Sequence, residues 1–187
     1  PGEVVLPAMD AIGIGSYIGW FISIAVSGVG IGAQALIARA MGSGDVDIGR
    51  KVLGQSLMLA FFWGTIVAVG LWFASEPLGE LCQLSAQAKV YLVSYIQIIA
   101  LGMPACSVMT TGAMALHGSG DTIRPAIVTV AVNIVNVLVS WACSGANVRL
   151  GDEVYANPFS WNLHVVGIAI GTAIAYVVGG VLIVLVL

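Results

Sequence analysis

The sequence is poor in charged residues. Only 8% of its 187 residues are Asp, Glu, Lys or Arg, whereas a soluble domain carries about 25%. Hydrophobic residues make up 59% of the chain, and the mean hydropathy is +1.05. So few charges cannot cover a water-facing surface, which excludes an ordinary soluble domain. The net charge of -3 is small and scattered, so a nucleic-acid partner is not predicted either.

Cysteine is also scarce. Cys82, Cys106 and Cys143 form no CxxC pair and have no histidine nearby at a metal-ligand spacing. Neither a disulfide framework nor a zinc site is therefore predicted, and we expect the thiols to act as small apolar packing groups. The apolar segments hold too few polar residues to assemble a nucleophile, a base and an orienting group. The sequence thus predicts no enzymatic activity and no cofactor.

The chain does contain five long apolar segments that are almost free of charged residues. Each exceeds the roughly 20 residues that a helix needs to cross a hydrocarbon core. Backbone polar groups must be paired in lipid, so segments of this length are expected to be helices. We predict an all-α fold, a polytopic transmembrane bundle that forms a single domain over residues 1–187. The predicted spans are approximately 11–38, 52–75, 90–116, 125–147 and 163–187.

Basic residues are unevenly divided between the predicted loops. Lys89 and Arg149 lie on one side of the membrane, and four basic residues lie on the other. Because positive charge is retained in the cytoplasm, the richer side is predicted to be cytoplasmic. We expect a multi-pass protein of the plasma (inner) membrane. The four basic residues on the predicted cytoplasmic side are Arg39, Arg50, Lys51 and Arg124.

Two similar turns follow apolar segments. The first reads ARAMGSGD at residues 38–45, and the second reads LHGSGDTIRP at residues 116–125. Each is typical of a helix that ends at glycine and is followed by the cap of the next helix. Asp45 or Asp47 is the predicted cap in the first turn, and Asp121 or Thr122 in the second.

The order of these motifs resembles the multidrug and toxic compound extrusion family. The second turn is followed by VNIVNVLVS at residues 132–140, and the last span begins with VVGIAIGTAIAYVVG at residues 165–179. The resemblance covers nearly the whole chain. It implies a lobe of six helices, of which the five spans would be helices two to six. The first helix and a second, pseudo-symmetric lobe are expected to be missing from this sequence.

The resemblance also implies a function. Members of the family are secondary active antiporters that work by alternating access. They export small amphiphilic or cationic organic compounds in exchange for Na⁺ or H⁺. The expected partners are therefore a small organic substrate, the lipid bilayer and the missing parts of the same protein. The coupling ion takes the place of a cofactor.

Polar residues inside the spans are the candidates for cation and substrate binding. They are Asn133, Asn136, Ser140, Thr172 and Gln34. Asn136 and Ser140 are four residues apart and Asn133 is one turn earlier, so the three are predicted to share one helical stripe. Hydroxyl oxygens can ligate Na⁺ but do not titrate near neutral pH. We expect any bound Na⁺ at Asn136, Ser140 and Thr172.

The resemblance implies a carboxylate for this site on the absent first helix. In some relatives a second acid occupies the position of Ser140. A structural alternative stays open for each candidate: an interhelical hydrogen bond for the two asparagines, and a bond to the helix backbone for Thr172. Gln34 has the same ambiguity.

Two further features allow two interpretations each. Glycines at four-residue spacing, as in Gly15 and Gly19, Gly28 and Gly32, and Gly167 and Gly171, predict close helix packing or helix bending. Methionines on the third span predict irregular core filling or an adaptable binding wall. These methionines are Met103, Met109 and Met114.

Two other functions compete with antiport. A lipid-linked saccharide flippase of the same superfamily would need Arg and Lys deep in a span, and the sequence puts none there. A non-transporting membrane scaffold predicts that apolar replacements of Asn133, Asn136 and Thr172 alter stability at most.

Overall fold

The structure is a computed structural model that describes residues 2–151, 153–159 and 161–187. In these ranges five helices are long and apolar enough to cross a membrane. This confirms the predicted all-α transmembrane bundle. The helices are α1 (Gly2–Gly42), α2 (Val46–Leu81), α3 (Ala86–Gly118), α4 (Ile123–Ser144) and α5 (His164–Val186).

A small hairpin joins α4 to α5, where no secondary structure was predicted. Its strands are β1 (Val148–Leu150) and β2 (Glu153–Tyr155), which pair antiparallel. The Tyr155 hydroxyl donates to the Glu153 carboxylate over 2.5 Å, and this bond raises the pKa of Tyr155. Asn157 fixes the hairpin to α4, because its side-chain amide donates to the carbonyl of Trp141 over 2.6 Å.

The first three helices are longer than predicted, with 41, 36 and 33 residues. The predicted spans stopped at charged residues, but charges end a membrane span without ending a helix that continues into water. Asp10 therefore lies inside α1, and Glu76 and Glu80 lie inside α2. By contrast, α4 and α5 have 22 and 23 residues and stay close to the predicted bounds. Gly145 ends α4 in the left-handed conformation, with φ +74.

Each glycine-rich turn ends one helix and supplies an aspartate that caps the next, as predicted. Asp45 caps α2 by accepting a hydrogen bond from the amide of Ile48 over 3.0 Å. In the second turn the Asp121 carboxylate accepts from the amides of Ile123 and Arg124, over 3.0 and 3.1 Å, whereas the Thr122 side chain makes no cap bond. We call the end of the bundle that holds these turns the basic end, after Arg39, Arg50, Lys51 and Arg124. The opposite end is the hairpin end.

The third helix lies at the centre of the bundle. It packs against α1, α2 and α5, while α4 packs mainly against α5. Leu92, Ile96, Ala100 and Met103 on α3 are buried in the core. Many large apolar side chains are instead exposed on the outer surface of the bundle, as expected where lipid is the solvent. They include Phe21, Phe73, Leu101, Val137 and Leu185.

The glycine pair of α5 confirms close helix packing. Gly167 lies against the backbone of Cys143, and a Cβ at Gly171 would lie 2.6 Å from the backbone nitrogen of Ser140. Only glycine allows two helices to approach this closely. Cys143 is itself a buried free thiol, as predicted.

The other two pairs behave differently. Gly28 and Gly32 face open space, so their predicted packing role is wrong for the described residues. The glycine that contacts α3 at this level is Gly30, because the buried side of α1 runs through Val26, Gly30 and Ala33 rather than through the pair. Of the first pair, only Gly15 packs, against the ring of Tyr95, and Gly19 is open.

The methionines of α3 fill spaces opposite glycine. Met114 lies against Gly30 of α1, and Met109 lies against Gly179 of α5. Met103 is 2% exposed in the main core. These contacts favour core filling over a binding wall, because all three side chains are used in contacts between helices.

Candidate cation and substrate site

Three of the five candidate residues meet between α4 and α5. The Asn136 side-chain amide donates to the Thr172 hydroxyl over 3.2 Å. The Thr172 hydroxyl donates to the carbonyl of Ile168 over 3.1 Å, and the Ser140 hydroxyl donates to the same carbonyl over 3.4 Å. We call Asn136, Ser140, Ile168 and Thr172 the polar cluster. Its three side chains are all partly buried.

Close packing of the helices produces this arrangement. Asn136 and Ser140 are one turn apart on α4, so both can face α5. Gly171 opposes Ser140 without a side chain, which allows the hydroxyl to reach the backbone of α5. Thr172 is the next residue and points toward Asn136. A larger residue at position 171 would separate the helices and pull the cluster apart.

The cluster lies at membrane depth. At about 1.5 Å per residue, Asn136 is roughly 20 Å along α4 from Ile123, and Thr172 is roughly 12 Å along α5 from His164. Both positions fall within a hydrocarbon core of about 30 Å and lie nearer the hairpin end. Polar groups at this depth are costly unless they are paired or used.

The cluster consists of neutral groups. The apolar stretches of α4 and α5, residues 125–144 and 165–186, contain no charged residue. Among the described residues, no group of three or more His, Cys, Asp or Glu side chains could hold a metal ion. The cluster nevertheless offers oxygen ligands, from two hydroxyls and the carbonyl of Ile168. Rotating the Asn136 amide would present a fourth oxygen in place of its NH₂ group. Such a donor set suits a hard cation such as Na⁺ and cannot itself carry a proton.

The remaining two candidates lie outside the cluster. Asn133 is exposed and does not belong to the polar cluster, so its predicted place on one stripe with Asn136 and Ser140 stays a prediction. At that level Val132 occupies the interface, where it contacts Gly179 of α5. Gln34 is half-buried on α1, where its backbone touches Gly118 near the basic end. Because α1 packs against α2 and α3, Gln34 is separated from the cluster by α3.

Other buried polar residues were not predicted. Ser107 and Thr111 on α3 are fully buried, and within the described part of the chain their hydroxyls have no hydrogen-bond partner. Ser107 and Thr111 are four residues apart, as Asn136 and Ser140 are, so the sequence places both on one face of α3. This spacing could have identified them as candidates. Ser75 of α2 is also fully buried, and it accepts a hydrogen bond from the Gln97 side chain of α3 over 3.2 Å.

Charged side chains pair at the two ends of the bundle. Lys89 and Glu80 form an ion pair of 2.9 Å at the hairpin end, and Arg124 pairs with Asp121 over 3.2 Å at the basic end. The middle of each span is left uncharged. The cluster is therefore an uncharged polar contact between α4 and α5, and at the basic end Arg124 of α4 also donates to the carbonyl of Val186 of α5.

Comparison with known proteins gives a consistent result. The MatE family model matches residues 6–142. A probable multidrug resistance protein, NorM of Thermotoga maritima, is 26% identical over 141 residues, which cover 75% of this chain and 30% of that protein. An FAD transporter of Shewanella oneidensis is 27% identical over 71% of this chain and 29% of its own length. The chain thus spans about 30% of the curated relatives that it matches.

Solved structures share the fold. An outward-facing multidrug resistance MATE family transporter matches 92% of this chain and 35% of its own, with a TM-score of 0.79 at 22% identity. An inward-facing MATE family structure gives 0.77 at 21% identity, over 95% of this chain and 37% of its own. The lipid II flippase MurJ, in an inward closed conformation, has a TM-score of 0.71 at 17% identity. The match covers 94% of this chain and 35% of the flippase chain.

Proposed function

Because this chain belongs to the MatE family, we propose that the protein is a secondary active antiporter and that this chain forms helices two to six of its first lobe. It exports small amphiphilic or cationic organic compounds while Na⁺ or H⁺ enters. The observation that carries the proposal is the polar cluster, which places oxygen ligands from α4 and α5 together inside the membrane. Coupling requires a site that binds an ion in one state of the cycle and releases it in the other.

The cluster supplies ligands for the ion but no counter-charge. Ser140, Thr172 and the Ile168 carbonyl hold the ion by neutral oxygens, and the Asn136 amide turns to complete the shell. A carboxylate from the first helix, as the family resemblance implies, would balance the charge. The neutral donors favour Na⁺ as the ion held by α4 and α5, whereas a proton would have to reside on that carboxylate.

Cation-driven export is more consistent with the charge distribution than a saccharide flippase is. A pyrophosphate group in the membrane needs Lys or Arg beside it. In the described ranges, Arg39, Arg50, Lys51, Lys89 and Arg124 lie toward helix ends rather than in mid-span. The fold likeness to a flippase therefore extends to the helix arrangement and not to the chemistry of this lobe.

A matched pair of threonine variants tests the proposal in the complete transporter. Thr172→Val removes a cluster hydroxyl, and Thr129→Val removes a hydroxyl that donates to the Pro125 carbonyl of its own helix. In proteoliposomes loaded with a cationic dye, an imposed Na⁺ gradient should drive export by the unchanged protein. We expect Thr172→Val to lower that rate about tenfold, which corresponds to roughly 1.4 kcal/mol. Thr129→Val should stay within about twofold.

Two results would contradict the proposal. If neither a Na⁺ gradient nor a H⁺ gradient drives export by the unchanged protein, cation coupling is ruled out. Equal rates for Thr172→Val and Thr129→Val, with lower stability in the former, would mean that the cluster only holds α4 to α5. That second result is the one that the scaffold alternative predicts.

A further inference from the structure

A cavity at the basic end combines two arginines with apolar walls. It has a volume of about 180 Å³ and opens where all five helices come together. Arg50 and Arg124 line it together with Ile37, Leu53 and Leu116. No carboxylate is among the lining residues in the described part of the chain. A site that is cationic at the membrane surface and apolar toward the membrane fits a ligand with an anionic head and a hydrocarbon tail.

Arg124 is held in place with donors to spare. Its Nη1 donates to the carbonyl of Val186 over 3.1 Å, and its Nε pairs with Asp121 over 3.2 Å. A guanidinium group has five N–H donors, and among the described residues only the bond to Val186 uses one of them as a hydrogen bond, so four remain. The ion pair with Asp121 holds the arginine at the start of α4. The Nη2 group remains available to another acceptor.

Arg50 supplies the charge that is not neutralised. It is exposed, and among the described residues it forms no ion pair. None of the nearby carboxylates lines the cavity, since Asp45 caps α2, Asp121 binds the start of α4, and Asp47 lies in the first turn of α2 outside the lining. Arg50 therefore gives the cavity a positive charge that no carboxylate lining it offsets, and guanidinium groups bind phosphate oxygens in a planar, two-pronged geometry.

We propose that this cavity binds an anionic phospholipid, with the phosphate between Arg50 and Arg124 and the first part of the acyl chains against Ile37, Leu53 and Leu116. The volume is about six times the roughly 30 Å³ that a water molecule occupies in the liquid. It therefore accommodates a phosphodiester and adjoining methylenes rather than a whole lipid, whose tails continue into the bilayer. The basic end is the predicted cytoplasmic end, where anionic headgroups attract basic residues.

Charge is tested first, by counting lipids that stay bound to the complete protein. The protein is exchanged from detergent into nanodiscs that contain equal amounts of phosphatidylglycerol and phosphatidylcholine. Native mass spectrometry then measures the retained phosphatidylglycerol. We expect Arg50→Gln to lower its retention at least threefold. Lys51→Gln removes a neighbouring positive charge that does not line the cavity and should leave retention unchanged.

Shape is tested with a second matched pair. Gly49 lines the cavity, and a Cβ there would meet nothing closer than 3.8 Å, so Gly49→Leu is chosen to place a larger side chain at the cavity wall. Gly54 lies on the same helix with open space around it, and Gly54→Leu is the control. We expect only Gly49→Leu to lower phosphatidylglycerol retention. Circular dichroism and gel filtration establish that each variant is folded, and Gly49→Ala replaces Gly49→Leu if that variant is not.

Three outcomes would overturn the proposal. Equal losses in Arg50→Gln and Lys51→Gln would show a diffuse charge effect without a site. Unchanged retention in both Arg50→Gln and Gly49→Leu would show that protein fills the cavity. Displacement of the lipid by millimolar glycerol phosphate would show a site for a soluble anion. Because the readout is bound lipid, its failure is independent of whether the protein transports.

Discussion

Thr111 is a fully buried residue whose hydroxyl has no partner among the described residues. A buried polar group without a hydrogen bond costs about 1–3 kcal/mol. Thr111→Val keeps the shape of the side chain and removes the hydroxyl, so we expect the free energy of unfolding to rise by about 1 kcal/mol. Chemical denaturation of the complete protein in detergent measures the change.

The adjacent residue provides the control for this experiment. Thr110 donates its hydroxyl to the carbonyl of Cys106 over 2.9 Å. Thr110→Val therefore loses a satisfied bond and should be neutral or slightly destabilising. If Thr111→Val lowers stability by more than Thr110→Val, the Thr111 hydroxyl has a partner such as buried water, and the expectation is wrong.

The sequence predicts some of the individual residues of the candidate site. The spacing of Asn136 and Ser140 placed both on one face of α4, and the structure puts both beside α5. Thr172 was a candidate by its polarity and by the family resemblance, but its pairing with Asn136 was not predicted, because that pairing depends on how two helices cross. The exposure of Asn133 depends on the same crossing angle. Helical periodicity describes one helix and says nothing about its rotation against a neighbour.

The contact between α4 and α5 depends on a glycine. A Cβ at Gly171 would lie 2.6 Å from the backbone nitrogen of Ser140, closer than real Cβ contacts allow. The helices would have to separate, and forced overpacking typically costs about 1–3 kcal/mol. We expect Gly171→Ala to lower the free energy of unfolding by about 2 kcal/mol and to reduce transport, since the cluster lies on the same interface. Thermal unfolding in detergent measures the first effect.

Gly28→Ala is the matched control for that variant. Gly28 has nothing within 4 Å, so its new methyl group meets no neighbour. Alanine favours a helix over glycine by about 0.8–1.0 kcal/mol, so this variant should be neutral or more stable. Similar destabilisation by both substitutions would mean that glycine acts through helix bending, as the alternative interpretation held, and not through packing.

The helices were easier to predict than their ends. Hydrophobic length located all five, because each apolar segment has the length of a membrane-spanning helix and a helix pairs its backbone polar groups within one segment. The ends of α1, α2 and α3 were missed because the predicted spans stopped at charged residues, at Asp10, Glu76 and Lys89, and each helix continues past that residue. The hairpin was missed because strands of three residues are too short to show alternation. The cap at Ser85, which accepts from the amide of Ala88, was likewise overlooked.

The orientation of the whole molecule rests on six basic residues. Lys51 lies at the basic end and Lys89 at the hairpin end, so the positive-inside rule places them on opposite sides of the membrane. In the complete protein with Cys82→Ser, a membrane-impermeant maleimide should label Lys89→Cys in intact cells and leave Lys51→Cys unlabelled. Opening the membrane should expose Lys51→Cys. Labelling of Lys51→Cys alone in intact cells would reverse the orientation.

All hydrogen bonds of the polar cluster lie within the pair formed by α4 and α5. In the described part of the chain, the first two helices pack mainly against each other and against α3 rather than α5, and they carry much of the lipid-facing surface. Substitutions on α1 and α2 therefore have no direct route to the oxygens of the cluster. Residues of α1 and α2 can therefore change to suit a different bilayer, while residues of α4 and α5 change separately to suit a different ion.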